Sequence, residues 1–94
     1  MKIHVDIVRK AVSQFVKDQI ESCNETISDD PGLASMYLGD ASLVLDYMDR
    51  LIRESNNNHI YTSEVYKIFS KMDTLPRDDI LSLIRGEIDR PANS

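Results

Sequence analysis

Between Asp18 and Asp49 the chain carries eight carboxylates (Asp18, Glu21, Glu25, Asp29, Asp30, Asp40, Asp46 and Asp49) and no lysine or arginine. Carboxylates can act as acid–base pairs, as oxygen ligands for hard cations, or as a fixed anionic surface. Asp29-Asp30 lacks the alternating oxygen ligands and central glycine of a calcium loop. Nothing in the spacing singles out one pair of acids for proton transfer. The remaining chemistry is that of an anionic flank, which favours cationic partners and steers their approach.

Other reactive side chains are sparse. His4 and His59 stand far apart in the chain, without a cysteine or carboxylate at zinc-ligand spacing. Cys23 is the single cysteine, so it forms no intramolecular disulfide, and it reads as a small core residue. A lone cysteine suits a reducing cytosol. There is no glycine-rich phosphate loop and no nucleophile elbow. These patterns point away from an enzyme, and no cofactor or metal is expected.

The run Leu38-Gly39-Asp40-Ala41-Ser42-Leu43 opens an acidic helix after a connector. Over this stretch the chain resembles acyl carrier proteins, which attach phosphopantetheine to the serine of an Asp-Ser-Leu triplet. Ala41 stands where that aspartate precedes the serine, and the later helix spacing departs from the family. The resemblance implies a carrier modified at Ser42. The plain reading is a solvent-facing serine in the first turn of a helix.

The elements that position these groups follow from periodicity and punctuation. Ninety-four residues make one domain with one modest core. With 41% hydrophobic and 29% charged residues the composition is that of a globular fold. Val5, Val8, Val12, Phe15, Val16 and Cys23 recur at helical spacing and predict a helix over about 3–23. Ile3, Val5 and Ile7 also alternate as in a strand, a reading set aside because no second strand is evident to pair with it. Asn24 to Asp30 is a polar connector, and Asp30-Pro31 suits an N-cap followed by proline at the first helical position. A second helix then spans about 31–55, with Gly39-Asp40 as a point where it could break.

Ser55 to Asn58 is a stop, since asparagine tolerates the left-handed conformation that ends helices. A third helix over 63–73 would be capped by Thr62 or Ser63, with Tyr61 stapled on Tyr66. A fourth over 76–88 starts at Pro76, with Asp78 and Asp79 at its positive end. Residues 89–94 read as a frayed tail. The expected fold is all-α, a compact antiparallel bundle of four helices.

The second helix carries more apolar arc than a surface helix needs. Met36, Leu43 and Tyr47 widen its stripe on one side, and Ala41, Leu45 and Ile52 on the other. Either it is the central helix, packed on both sides, or the Met36–Leu43–Tyr47 edge is exposed and docks a partner beside Asp46 and Asp49.

Net charge −5 and pI near 4.8 oppose direct binding to nucleic acid or an anionic membrane. Residues Ser63 to Ile84 have the length of a helix-turn-helix, but Asp78 and Asp79 would sit where DNA phosphates lie. There is no signal core and no run long enough to span a bilayer. The expected protein is a small cytoplasmic regulator or inhibitor that docks on a basic surface of another protein, such as a nucleic-acid-binding protein or a toxin. Met36, Leu43, Asp46, Tyr47 and Asp49 are its expected contact residues. A homodimer, or a subunit of a larger complex, is the alternative from another class.

Overall fold

In the computed structural model, which describes residues 1–74 and 76–90, the chain folds in the order β1 (Lys2–His4), α1 (Val5–Thr26), α2 (Pro31–Glu54), β2 (His59–Tyr61), α3 (Thr62–Ser70) and α4 (Pro76–Asp89). The four helices form the expected all-α bundle. Residues 91–94 of the expected tail lie outside the described residues, whereas Asp89 closes α4.

Local chemistry explains the boundaries. The His4 imidazole caps α1, its Nδ1 accepting the Asp6 N–H at 3.0 Å. α1 runs three residues past its expected end, to Thr26, and the chain turns as the Asp30 N–H donates to the Thr26 carbonyl at 2.8 Å. Asp30 then caps α2, its Oδ1 accepting the Leu33 N–H at 3.1 Å, with Pro31 in the first turn. α2 is continuous through Gly39-Asp40. A single glycine costs a helix about 1 kcal/mol, which a packed helix of this length tolerates.

The expectation that the N-terminal segment forms no strand is overturned. The strand set aside at the N-terminus exists, because a partner for it lies in the segment read as a helix stop. β1 pairs antiparallel with β2, in the register Lys2 with Tyr61, Ile3 with Ile60 and His4 with His59. Asn57 and Asn58 adopt φ of 54° and 61°. Two consecutive left-handed residues make a type I′ turn, the connection whose twist matches paired strands. Asn56 and His59 exchange both backbone hydrogen bonds across it, at 2.9 and 3.0 Å. The turn thereby aims His59–Tyr61 back along β1. Ile3 and Ile60 bury on the core side while their neighbours face outward, as the period of two requires.

The same pairing changes how α3 begins. Tyr61 is its N-cap and offers no side-chain cap. Instead the Thr62 N–H donates to the Met1 carbonyl at 2.9 Å, so the residue that leads into the first strand satisfies a helix-end donor. Tyr61 is exposed, with the Lys2 ammonium 5.0 Å from its ring centre, and so it does not serve as the expected staple.

The helices make two unequal layers. α1 and α2, at 22 and 24 residues, lie side by side as an antiparallel hairpin about 33–36 Å long at 1.5 Å per residue. α3 and α4 have 9 and 14 residues and reach only about 14–21 Å. The short layer covers one face of the long one at the end nearest the strands. The main core records this, since its α1 members run from Val5 to Phe15 and its α2 members from Val44 to Leu51. Phe15, Phe69, Leu51, Ile80 and Ile84 are its largest fully enclosed aromatic and aliphatic side chains.

Candidate functional site

Beyond Phe15 and before Leu43 the hairpin continues as an arm. Its buried residues are Cys23, Ala34 and Ala41, all small and none part of the main core. Small residues let two helices approach closely, but they leave the larger apolar side chains around them uncovered. Of the eight exposed large hydrophobic side chains among the described residues, five lie on the arm: Ile20, Ile27, Leu33, Met36 and Leu38. Leu45 follows at the arm's base, 47% exposed.

The acid-only stretch covers this arm from Asp18 onward and runs past it into the body as far as Asp49. Residues 18–49 hold eight carboxylates and no cation, whereas the rest of the chain holds eight carboxylates and eleven cations. Between Phe15 and Leu43 six carboxylates stand with one lysine, so the net −5 resides in the arm and the body is neutral. Glu21, Glu25, Asp29, Asp30, Asp46 and Asp49 are exposed. Asp40 is partly enclosed, and desolvation raises its carboxyl above the ordinary value.

The structure separates the expected contact residues. Met36 is 63% exposed on the arm, and Asp46 and Asp49 are exposed. Leu43 is half-buried against the core. Tyr47 is 9% exposed, with its ring 6.2 Å from that of Phe69 and its hydroxyl donating to the Lys71 carbonyl at 3.4 Å. Tyr47 is therefore a core residue of the α2–α3 contact, and that side of α2 is covered at its level. Leu45, on the other side of the stripe, is the residue left open.

Leu45 faces a groove that the sequence did not reveal. Val12, Val16 and Ile20 of α1 and Leu45 of α2 form its floor and walls, with Lys17 and Glu21 on the α1 rim, around a volume of about 380 Å³. Helical geometry places it opposite the short layer. Phe15 lines a cleft together with Asp79, Ser82 and Leu83 of α4. Ile20, five residues on, is turned by about 140° from Phe15 at 100° per residue. Leu45 is likewise turned by about 160° from Tyr47, which faces α3. The outer face of the α1–α2 layer is thus apolar, concave and uncovered by the short layer. Its lining comes from two helices, with Leu45 remote in the chain from Val12, Val16 and Ile20, so no local pattern marks it.

A second cleft, of about 340 Å³, lies between α2 and α3 and gathers Arg50, Arg53, Lys67 and Lys71 with Glu54 and Glu64. The Arg50 guanidinium stacks 4.6 Å from the Tyr47 ring centre. His4 and His59, remote in sequence, meet edge to face across the strand pair at 5.0 Å. The His59 Nδ1 lies 2.8 Å from the Asn57 carbonyl, while the His4 Nδ1 is occupied by its cap bond. Among the described residues no group of three His, Cys, Asp or Glu is arranged to hold a metal ion. Ser42 is exposed on the arm. No helix among the described residues is long and apolar enough to cross a membrane. Comparison of the chain with protein-family models, curated proteins and solved structures returns no match.

Proposed function

We propose that the protein is a non-enzymatic regulator or inhibitor of the cytoplasm that docks its acidic stretch, residues 18–49, on a basic surface of another protein. One observation carries this reading: the acid-only stretch and the cluster of exposed apolar side chains occupy the same part of the fold. Apolar contact supplies affinity, while like-signed carboxylates around it steer encounter and reject anionic partners. Nucleic acid belongs to the rejected class, and the carboxylates of Asp78 and Asp79 at the exposed start of α4 add to that repulsion.

The test is capture from the native cell by the wild-type chain and by an Asp46→Lys/Asp49→Lys variant, followed by association kinetics of the captured protein. The on-rate should fall with salt, because the screening length drops from ~10 Å at 0.1 M to ~3 Å at 1 M. Charge reversal should lower the on-rate more than it raises the off-rate. An on-rate flat in salt and indifferent to the reversal would remove the basis of the proposal.

A further inference from the structure

The cleft between α2 and α3 runs against the charge of the chain as a whole. In a molecule of net charge −5, four of the eleven cations line it: Arg50 and Arg53 from α2, Lys67 and Lys71 from the end of α3. All four are exposed. We infer that the cleft binds a compact dianion, the phosphate group of a monoester. It is a site of opposite sign to the stretch that docks on a basic partner.

Helical spacing brings the cations together. Arg50 and Arg53 are three residues apart and Lys67 and Lys71 four apart, so each pair shares one face of its helix. Tyr47 fastens the two faces, its ring 6.2 Å from that of Phe69 and its hydroxyl donating to the Lys71 carbonyl. Among the described residues none of the four cations has a carboxylate within 4.0 Å. This holds although Glu54 and Glu64 line the same cleft and Asp46 and Asp49 stand one turn before Arg50 and Arg53. The negative ends of α2 and α3 favour Arg53, Lys67 and Lys71, but that effect falls off within the last turn and does not account for Arg50. Unneutralised cations in one cleft repel each other, and a bound anion relieves that repulsion.

Arg50 is already placed for such an anion. Its guanidinium stacks 4.6 Å from the ring centre of Tyr47, a ring that is itself held in the core. A stacked guanidinium keeps N–H donors at its edge for two parallel bonds to an oxyanion, and it loses little freedom in making them.

Charge and size name the ligand class. Four cations against two glutamates leave a surplus of two. A phosphate monoester carries about −1.5 to −2 at pH 7 and offers three strong acceptor oxygens. The volume of about 340 Å³ is at the small end of ligand clefts, which run from ~300 to ~1,000 Å³. Ile68 is its single apolar lining residue, so a nucleobase finds no stacking platform there. A nucleic-acid strand would need cations in a row for successive phosphates, and here the two glutamates interrupt them. A small sugar phosphate and a phosphorylated side chain both carry the group that fits.

The test follows backbone amide shifts of the isotope-labelled chain at constant ionic strength. The probes are ribose 5-phosphate, a phosphoserine tetrapeptide, succinate and a single-stranded DNA oligonucleotide. Amides of residues 50–54 and 64–71 should shift together and saturate with one or both phosphate probes. The dissociation constant should be of the order of 1 mM, the level that a few charge-assisted hydrogen bonds support. The tighter phosphate probe identifies the source as a free ester or a modified side chain. Succinate, whose two charges sit on separate carboxylates, should bind at least tenfold more weakly. Arg50→Gln should weaken phosphate binding at least tenfold, and Arg50→Lys several-fold, since the charge stays while the fork is lost. Glu54→Gln should tighten it, and Arg77→Gln, outside the cleft, should leave it unchanged. Lowering the pH through about 6, where the monoester takes up its second proton, should weaken it.

Shifts that fail to saturate, or that Arg50→Gln leaves intact, would overturn the assignment. Succinate bound as tightly as phosphate would overturn the phosphate class. Tighter binding of the oligonucleotide through the same amides would make the ligand nucleic acid instead. None of these results bears on the salt and charge-reversal test of the docking reading, so each can fail alone.

Discussion

Shortening Leu51 to alanine should loosen the body of the protein and leave the arm untouched. Leu51 is fully enclosed in the main core. Removing a buried leucine side chain beyond its β-carbon costs about 2–5 kcal/mol, a large share of the ~5–15 kcal/mol that holds a domain together. The arm draws on different contacts. Cys23, Ala34 and Ala41 are its buried residues, and at ~0.8 kcal/mol per buried carbon they supply about 2–3 kcal/mol in all. Phe15, Phe69, Leu51, Ile80 and Ile84 in the body are fully enclosed, and each contributes about 1.5–3 kcal/mol on the same scale.

The arm should therefore open without the body. Native-state hydrogen exchange resolved by residue is the measurement. In the wild type, amides between about residues 24 and 38 should report opening free energies at least ~2 kcal/mol below those of α4 and the body half of α2. In Leu51→Ala the body amides should exchange roughly 30-fold faster or more, since every ~1.4 kcal/mol is a factor of ten. The arm amides should hold their wild-type rates until the global stability falls to their own level. Equal opening free energies in arm and body, shifting together in the variant, would refute the division of the hairpin into two stability regions.

Further expectations can be checked with ordinary variants. Asn58 has φ of 61°, so Asn58→Gly should leave the thermal midpoint unchanged or higher, while Asn58→Val should cost about 1–2 kcal/mol, or ~4–8 °C for each kcal/mol. The Asp40 carboxyl is raised by desolvation and so binds its proton more tightly in the folded chain. Its contribution to stability is fullest at low pH and falls as pH rises from the ordinary value of about 3.9 through the raised one. Asp40→Asn should accordingly melt higher than wild type at pH 7, with the gap closing toward pH 3 in parallel thermal scans. Gel-shift titration should show no complex with duplex or single-stranded DNA at tens of micromolar, roughly where weak non-specific binders already bind at physiological salt; a competitor-resistant shift would revive the helix-turn-helix reading of residues 63–84.

The helices were legible because their signals are local. Asp30-Pro31 marks the start of α2 by capping chemistry alone, and the apolar spacing of Val8, Val12 and Phe15 has one explanation. The strand pair was not legible, for the opposite reason. Each strand is three residues long, and the residues that face each other are remote in the chain. The asparagines were rightly read as left-handed, but one such residue ends a helix and two in succession make a hairpin turn. The candidate site was half legible. The acid run could be counted directly. Which edge of α2 stays open depended on where α3 packs, and Tyr47 shows no sequence difference that separates a core tyrosine from an interface one. The groove is a property of two helices in register, so periodicity within either one could not show it.

The β1–β2 pair also sets the order in which the chain can assemble. The hairpin α1–α2 forms from neighbours in sequence, but Ile3 can reach Ile60 only by closing a loop of roughly 57 residues. Closing a flexible loop of that length costs about 3–4 kcal/mol in chain entropy before any contact repays it. The strands are thus favoured only once α1 and α2 have docked and brought the two segments together, which makes them a late latch. Contacts made after the rate-limiting step govern unfolding more than folding. Ile60→Ala should then leave the refolding limb of a chevron nearly unmoved and raise the unfolding limb, so that the smallest element of the fold controls how long the native state lasts.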